Sequence, residues 1–131
     1  MGMTGTLKTT LIQNPSSAAV NITLGTAGDV SFAKAVRGTV TTDNDLSFDM
    51  ADTNNFSCTP TGTGTLTFTN HTAGTSGFVL LVNSSGFAIT AAATTKINST
   101  DLATISSAGT YLLSYFDNGT NAYVVVSRNF A

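Results

Sequence analysis

The chain has 131 residues, a formal net charge of −2 and charged side chains at 9% of its positions. Thr, Ser, Gly and Asn together account for 61 residues, and all seven acidic residues are Asp. Because Thr, Asn and Gly are weak helix formers, this composition excludes a helix bundle or a coiled coil, and without clustered Lys and Arg the sequence predicts no nucleic-acid partner.

The scarcity of charge predicts that the protein works in an assembly. Sheet edges are commonly protected by Lys or Pro, yet the chain has three Lys and two Pro for a whole β domain. We therefore expect neighbouring chains to cover its edges and faces. No apolar run approaches the length of about 18 residues that a membrane span needs, and the first residues lack the apolar core of a secretory signal. The sequence thus predicts synthesis in the cytoplasm and no membrane partner.

Residues 1–42 are predicted to form an N-terminal arm or a small hairpin unit. Strand-like pieces at 7–13, 18–24 and 30–35 are separated by turn residues. This region carries three cations, Lys8, Lys34 and Arg37, against a single Asp29. Its local charge is therefore positive in a chain that is acidic overall.

Residues 43–131 are predicted to form the main β domain. Apolar residues alternate with polar ones at 46–50 and 65–69, as expected for strands with one face on a core. Two continuous apolar runs, 78–82 and 123–126, indicate strands buried on both faces, between sheets or at a subunit contact; Phe78, Leu80, Tyr123 and Val125 are the candidate residues. Turn signals, including Asn118-Gly119, suggest a meander from residue 56 onward.

The predicted fold is therefore all-β, an antiparallel β-sandwich or jelly-roll-like meander with an extended N-terminal arm. The only helical signal is one turn near 101–106, with Thr100 or Asp101 as the N-cap.

The inventory of catalytic residues is poor. A Ser-His-Asp site would need His71, which lies in a turn-like segment without a nucleophile elbow. Cys58 is expected to be a small buried side chain. Asp43 and Asp45 resemble the start of a calcium loop but lack its Gly and Glu, so they are only a weak metal candidate. The sequence predicts no enzyme activity and no cofactor.

Binding to a host-surface glycan is an alternative. Exposed Thr, Asn and Asp on a β scaffold form hydrogen bonds with sugars, and Tyr111, Tyr115 or Tyr123 are the candidates for stacking. Most of the aromatic residues, however, are needed to fill the core.

From about Asp43 to Phe130 the order of elements resembles a domain of structural proteins in tailed bacteriophages. The shared features are an Asn-Asn-Phe lead-in, a Leu-Thr-Phe-Thr-Asn strand, a Gly-bounded apolar strand, a Gly-Thr-Tyr-Leu-Leu-Ser strand, an Asp-Asn-Gly turn and a final Tyr-Val strand, at residues 54–56, 66–70, 77–81, 109–114, 117–119 and 123–127. The short strand before Ile97 lacks the aromatic residue usual in that domain.

The resemblance implies a virion protein, and the small size favours a capsid decoration (cement) protein over a tail fibre. Such proteins bind as trimers or dimers between capsomers on the phage head surface. The expected partners are the major capsid protein and other copies of the chain, with a homotrimer favoured and Lys8, Lys34 and Arg37 on the docking arm. The alternative is a receptor- or glycan-binding module of a tail or head fibre.

Overall fold

A computed structural model describes residues 11–12 and 22–130, and the chain divides into two units between Arg37 and Gly38. The described part of the first unit is a three-stranded antiparallel sheet of β1 (Leu11–Ile12), β2 (Ile22–Leu24) and β3 (Val30–Phe32). Gly28, with φ of 87°, allows the tight turn between β2 and β3. Most of the predicted strands at 7–13 and 18–24 lie outside the described residues.

Over its described residues, 38–130, the second unit contains nine strands and the helix α1. Its elements are β4 (Val40–Thr42), β5 (Ser47–Asp49), β6 (Asn55–Cys58), β7 (Gly64–Thr69), β8 (Ser76–Asn83), β9 (Ile89–Ala91), β10 (Thr95–Ile97), α1 (Ser99–Ile105), β11 (Gly109–Asp117) and β12 (Ala122–Val126).

These strands form two sheets, and the chain passes from one to the other at almost every connection. The six-stranded sheet has the order β10-β12-β11-β8-β6-β4, and the second sheet, here called the parallel sheet, has the order β5-β7-β9. Strands β4, β6 and β8 run parallel to one another, as do β5, β7 and β9. Each crossover between parallel neighbours is thus itself a strand of the opposite sheet. This is the arrangement of a short β-solenoid, completed by the antiparallel strands β11 and β12.

The predicted all-β class is confirmed, but the predicted antiparallel sandwich or jelly-roll-like meander is wrong. A meander would place β6, β7, β8 and β9 side by side, whereas they alternate between the two sheets. Within the described part of the second unit, only β8, β11 and β12 follow the antiparallel expectation. The error has a physical reason: a strand with one face on a core shows the same period-two alternation in either topology.

The core lies between the inner faces of the two sheets. Its centre is an aromatic cluster of Phe48 and Phe68 from the parallel sheet with Phe56 and Tyr115 from the six-stranded sheet. Ring centroids are 5.0 Å apart for Phe48 and Phe56, 5.5 Å for Phe48 and Phe68, and 4.7 Å for Phe68 and Tyr115. These separations are those of favourable tilted ring pairs. The cluster therefore joins the two sheets at their middle.

Helix α1 covers one end of the core with Ile105, which is fully buried. Its N-cap is Asn98, whose side chain accepts a hydrogen bond from the Thr100 N–H, rather than the predicted Thr100 or Asp101. Asn is as good a cap as Asp or Ser, and the helix begins earlier than predicted for that reason. Within the described ranges no helix is long and apolar enough to cross a membrane.

Gly77 in β8 lies against the backbone of the preceding coil. The Asn54 carbonyl oxygen accepts hydrogen bonds from the Phe78 N–H at 3.0 Å and from the Tyr115 hydroxyl at 2.9 Å. A Cβ at Gly77 would overlap this carbonyl group and approach the Tyr115 hydroxyl to 3.0 Å. Glycine is required here because there is no room for a side chain.

We expect Gly77→Ala to lower the free energy of unfolding by about 1–3 kcal/mol, since overpacking forces the backbone to shift. For a domain of this size the melting temperature then falls by roughly 5–20 °C. Thermal unfolding followed by circular dichroism measures the change. Gly62→Ala is the matched control, because a Cβ at Gly62 meets nothing within 4 Å; equal melting temperatures for the two variants would contradict this account of Gly77.

Candidate functional site

The outer face of the six-stranded sheet carries large apolar side chains. Backbone register aligns one row across five strands, formed by Val40, Asn55, Phe78, Ser114 and Val125. A second row contains Thr42, Ser57, Leu80 and Leu112, and a third contains Ser76, Phe116, Tyr123 and Lys96. We call this surface the apolar face, after its outward residues Val40, Phe78, Leu80, Leu112, Phe116, Tyr123 and Val125.

The apolar face exposes more hydrocarbon than scattered surface residues do. Phe78, Phe116 and Tyr123 are 50%, 53% and 47% exposed, which leaves on the order of 100 Å² of each ring in water. With Val40, Leu80 and Val125 the exposed apolar area reaches roughly 500 Å², the range in which patches on monomers are commonly functional.

A groove runs over β6 on this face, because the outward residues of β6 are small and polar. Asn55 and Ser57 form its floor, and Val40 on one side with Phe78 and Leu80 on the other form its walls. The groove has a volume of about 360 Å³ and is almost entirely apolar. On the same face, beyond β11, strand β12 exposes Tyr123 and Val125, which we call the ridge.

Charge is almost absent from the apolar face. Among the outward residues of its six described strands, Lys96 is the single charged one, and it lies on the edge strand β10. Its ammonium group donates to the Ala93 carbonyl at 2.6 Å. The face is therefore suited to an apolar partner rather than to a charged one.

The four candidate residues of the apolar runs all lie on this face. The intervening residues Val79, Leu81 and Val124 point into the core, whereas Phe78, Leu80, Tyr123 and Val125 point to solvent. Within the single chain, each of the two runs is thus buried on one face and exposed on the other, and not buried on both faces as predicted. Of the two predicted positions for the four candidates, the structure excludes a place between the two sheets, and the subunit contact stays a prediction.

The candidate docking arm is described only in part. Lys34 and Arg37 are exposed beyond the N-terminal sheet. Lys8 lies outside the described residues.

The outer face of the parallel sheet is polar. It presents hydroxyl groups from Thr65, Thr67, Thr69 and Thr90, with Ser47 and Asp49 on β5. The Thr65 and Thr90 hydroxyls are 2.9 Å apart. At the end of this sheet the Asn70 side chain donates to Asp49 Oδ1 at 2.7 Å. This hydrogen bond, and a second from the Ala51 N–H, hold the pKa of Asp49 below its usual range.

His71 and Asp117 form a pair that the sequence did not indicate. Nδ1 of His71 donates to Oδ2 of Asp117 at 2.6 Å, and Asp117 is fully buried. The other oxygen of Asp117 accepts from the Gly119 N–H at 2.7 Å. The backbone of Asp117 also pairs with Gly74 and Thr75. The pair therefore fastens the turn before β8 to the turn between β11 and β12.

The weak metal candidate consists of two carboxylates on one tight turn. The Asp45 N–H donates to Asp43 Oδ1 at 3.4 Å, and burial together with the neighbouring Asp45 carboxyl raises the pKa of Asp43. Leu46, which follows, is buried in the core with φ of 69°. Within the described ranges, no group of three or more His, Cys, Asp or Glu is arranged to hold a metal ion. The carboxylates shape the turn that directs Leu46 inward.

The remaining candidates are core residues. Cys58 is buried, as predicted, and burial raises the pKa of its thiol to about 11. A thiol with so high a pKa stays protonated and is a poor nucleophile. Tyr111 and Tyr115 are buried, and burial raises the pKa of Tyr115 to about 12. Of the three tyrosines considered for sugar stacking, Tyr123 alone is exposed.

In comparisons with known proteins, no family model, no curated protein and no solved structure matches the chain.

We expect Asp117→Ala to lower the free energy of unfolding by about 2–4 kcal/mol, because it removes a fully buried carboxylate and leaves the Gly119 N–H and the His71 ring without their acceptor. Urea unfolding measures the loss. Asp52→Ala removes an exposed carboxylate and should stay within about 0.5 kcal/mol of wild type. Similar losses in both variants would mean that the buried pair has no special structural role.

The effect of the hydrogen bond from Asn70 to Asp49 can be measured directly as the pKa of Asp49. Asn70→Gly removes the amide and keeps a residue that tolerates φ of 56°, so the pKa of Asp49 should rise toward its ordinary value of 3.8. Because the pKa of Asp49 is lower in the folded chain than its ordinary value, the ionised carboxylate stabilises the fold above pH 3.8, and this stabilisation is lost as the pH falls. The variant lacks part of this stabilisation, so it should lose less stability on acidification. NMR titration of Asp49 decides the matter; an unchanged pKa would rule out Asn70 as the cause.

Proposed function

We propose that the chain is a non-enzymatic structural protein of a phage virion, and more specifically a capsid decoration protein that binds the assembled head between capsomers. The proposal begins from the resemblance over residues 43–130. The observation that carries it is the exposed apolar face on a body with few charges, since such a surface suits a protein that works among neighbours.

Two further features fit this role. The body is built from hydrogen-bonded coils around a closed core, and its turns are held by buried polar contacts such as His71 with Asp117. The cations Lys34 and Arg37 belong to the first unit and are exposed, so they can contact a capsid surface. In this role the second unit packs against neighbouring molecules, and the N-terminal arm binds the shell.

The stabilising effect would come from mass action. A protein that binds only the assembled, expanded shell stabilises that state by RT ln(1 + [L]/Kd) per site, or about 2.7 kcal/mol at a concentration 100 times Kd. With many equivalent sites on one shell, a moderate affinity at each site adds up to a large effect on the whole head.

Co-sedimentation with expanded and unexpanded shells of the cognate major capsid protein tests the proposal. We expect wild-type protein to pellet with expanded shells and to raise their melting temperature. Lys34→Gln with Arg37→Gln should weaken binding about fivefold, since two exposed ion pairs contribute about 1 kcal/mol in total.

The matched control is Lys96→Gln with Arg128→Gln, which removes the same charge from the second unit. Equal weakening by both pairs would refute docking through the arm, and failure of the wild type to pellet with expanded shells would refute the decoration role.

A receptor- or glycan-binding module is the second candidate, favoured by Tyr123. This exposed ring lies beside Asn118, whose side-chain amide is 3.5 Å from the Tyr123 hydroxyl. A stacking ring next to an amide is a common basis for sugar recognition. Reproducible glycan-array hits that disappear in Tyr123→Ala, without binding to shells, would replace the decoration role with this one.

A further inference from the structure

The groove and the ridge occupy equivalent positions on either side of the apolar face. In the strand order, β8 and β11 are the two central strands, with β6 next to β8 and β12 next to β11. The groove lies over β6 and the ridge stands on β12. A line between β8 and β11, parallel to the strands, therefore has the groove on one side and the exposed side chains of the ridge at the same distance on the other.

We propose that two copies of the chain pack face to face through the apolar face, about a two-fold axis that runs along this line. Rotation about it places β12 of each copy over β6 of the other. Because Val125 and Asn55 belong to the same row, Val125 of one copy enters the groove of the other above Asn55, between Val40 and Phe78. The contact forms twice, once in each direction, as an isologous interface requires.

The properties of the face favour a second copy over an unrelated partner. A charged partner would find no complement, since Lys96 at the edge is the single outward charge on these strands. Shape supplies the complementarity instead, because each copy carries both the groove and a ridge to fill it. Apolar sheets commonly pack about 10 Å apart with their strands nearly aligned, the geometry that this axis produces.

The size of the face fits a dimer of moderate affinity. Six strands spaced by about 4.8 Å and on average about five residues in length give a projected area on the order of 500 Å². A rough surface buries more area than its projection, so each copy would bury more than about 500 Å². This area is still somewhat less than the roughly 800 Å² per partner of a standard interface. We therefore expect a Kd in the range of about 1–10 μM.

This geometry points to a dimer rather than the trimer favoured by the sequence. A face that packs against itself is used up once two copies meet. A trimer would need two different surfaces on each copy. The inference stands apart from the proposed function, because purified protein dimerises in this way whether or not a shell is present.

Sedimentation velocity on the purified full-length chain gives the first test. We expect a monomer–dimer equilibrium that shifts to monomer in Val125→Lys and in Asn55→Asp, each of which places a charge in the buried contact. Leu80→Thr, which keeps the strand propensity and removes a wall of the groove, should weaken the dimer about tenfold. A wild-type monomer at concentrations up to about 100 μM, or a trimer, would overturn the proposal.

Mixing the two charged variants tests the position of the axis. In a mixed pair, Lys at position 125 of one copy faces Asp at position 55 of the other, while the second contact is wild type. The mixture should therefore form a one-to-one heterodimer, although neither variant pairs with itself. An axis perpendicular to the strands would place β12 over β12 and give no rescue, so a mixture that stays monomeric refutes the proposed pairing.

Val36→Asp is the matched control, since Val36 is 70% exposed but lies in the first unit. It should dimerise like the wild type. Loss of the dimer in this variant alone would place the contact on the N-terminal unit and overturn the inference. Circular dichroism of all variants checks that the substitutions leave the fold intact.

Discussion

The contact on which the rest of the second unit depends is the aromatic cluster between the two sheets. Phe48 and Phe68 are register partners on adjacent parallel strands, so successive coils place one ring beside the other. Phe56 and Tyr115 meet them from the six-stranded sheet. Because this cluster fixes which face of each strand points inward, it also fixes which residues remain outside. The apolar face is a consequence of the same pleat: with Val79 and Leu81 in the core, Phe78 and Leu80 must point to solvent.

Buried polar groups hold the ends of this core in place. Asn83 is fully buried, and its side chain donates to the carbonyl oxygens of Phe87 and Ile105 and accepts from the Phe87 N–H, each at 2.9 Å. Asp117 does the same at the opposite end of β8 with His71 and Gly119. A buried polar group is costly unless it is paired, and the side chains of Asn83 and Asp117 are both paired with neighbouring turns or with the helix. The central strands β8 and β11, which lie between the groove and the ridge, are therefore held at both ends.

The sequence predicts well which residues point into the core, and it predicts poorly which strands lie side by side. Alternation identifies Leu46, Phe48, Leu66 and Phe68 as core residues, and all four are buried. Alternation does not say which sheet a strand joins, and the coils differ in length: Thr41 is opposite Phe56, and Phe56 is opposite Val79. No fixed repeat therefore marks the solenoid. For the same reason the sequence does not predict the groove. The small residues Asn55 and Ser57 form its floor because β4 and β8 lie on either side of β6, and the alternation of residues does not show this strand order.

The structure also changes the reason for expecting an assembly. From composition alone, unprotected sheet edges were the expected weakness. Yet both edge strands of each sheet in the second unit, β4 and β10 in one and β5 and β9 in the other, are three residues long, and β10 also carries Lys96. Short edges with an exposed Lys are a known protection against edge-to-edge pairing. The broad apolar face has no such protection, because Lys96 is its single charged side chain and lies at the margin. The surface that favours contact with another molecule is therefore the face of the sheet, and a face that packs against its own copy limits the assembly to two.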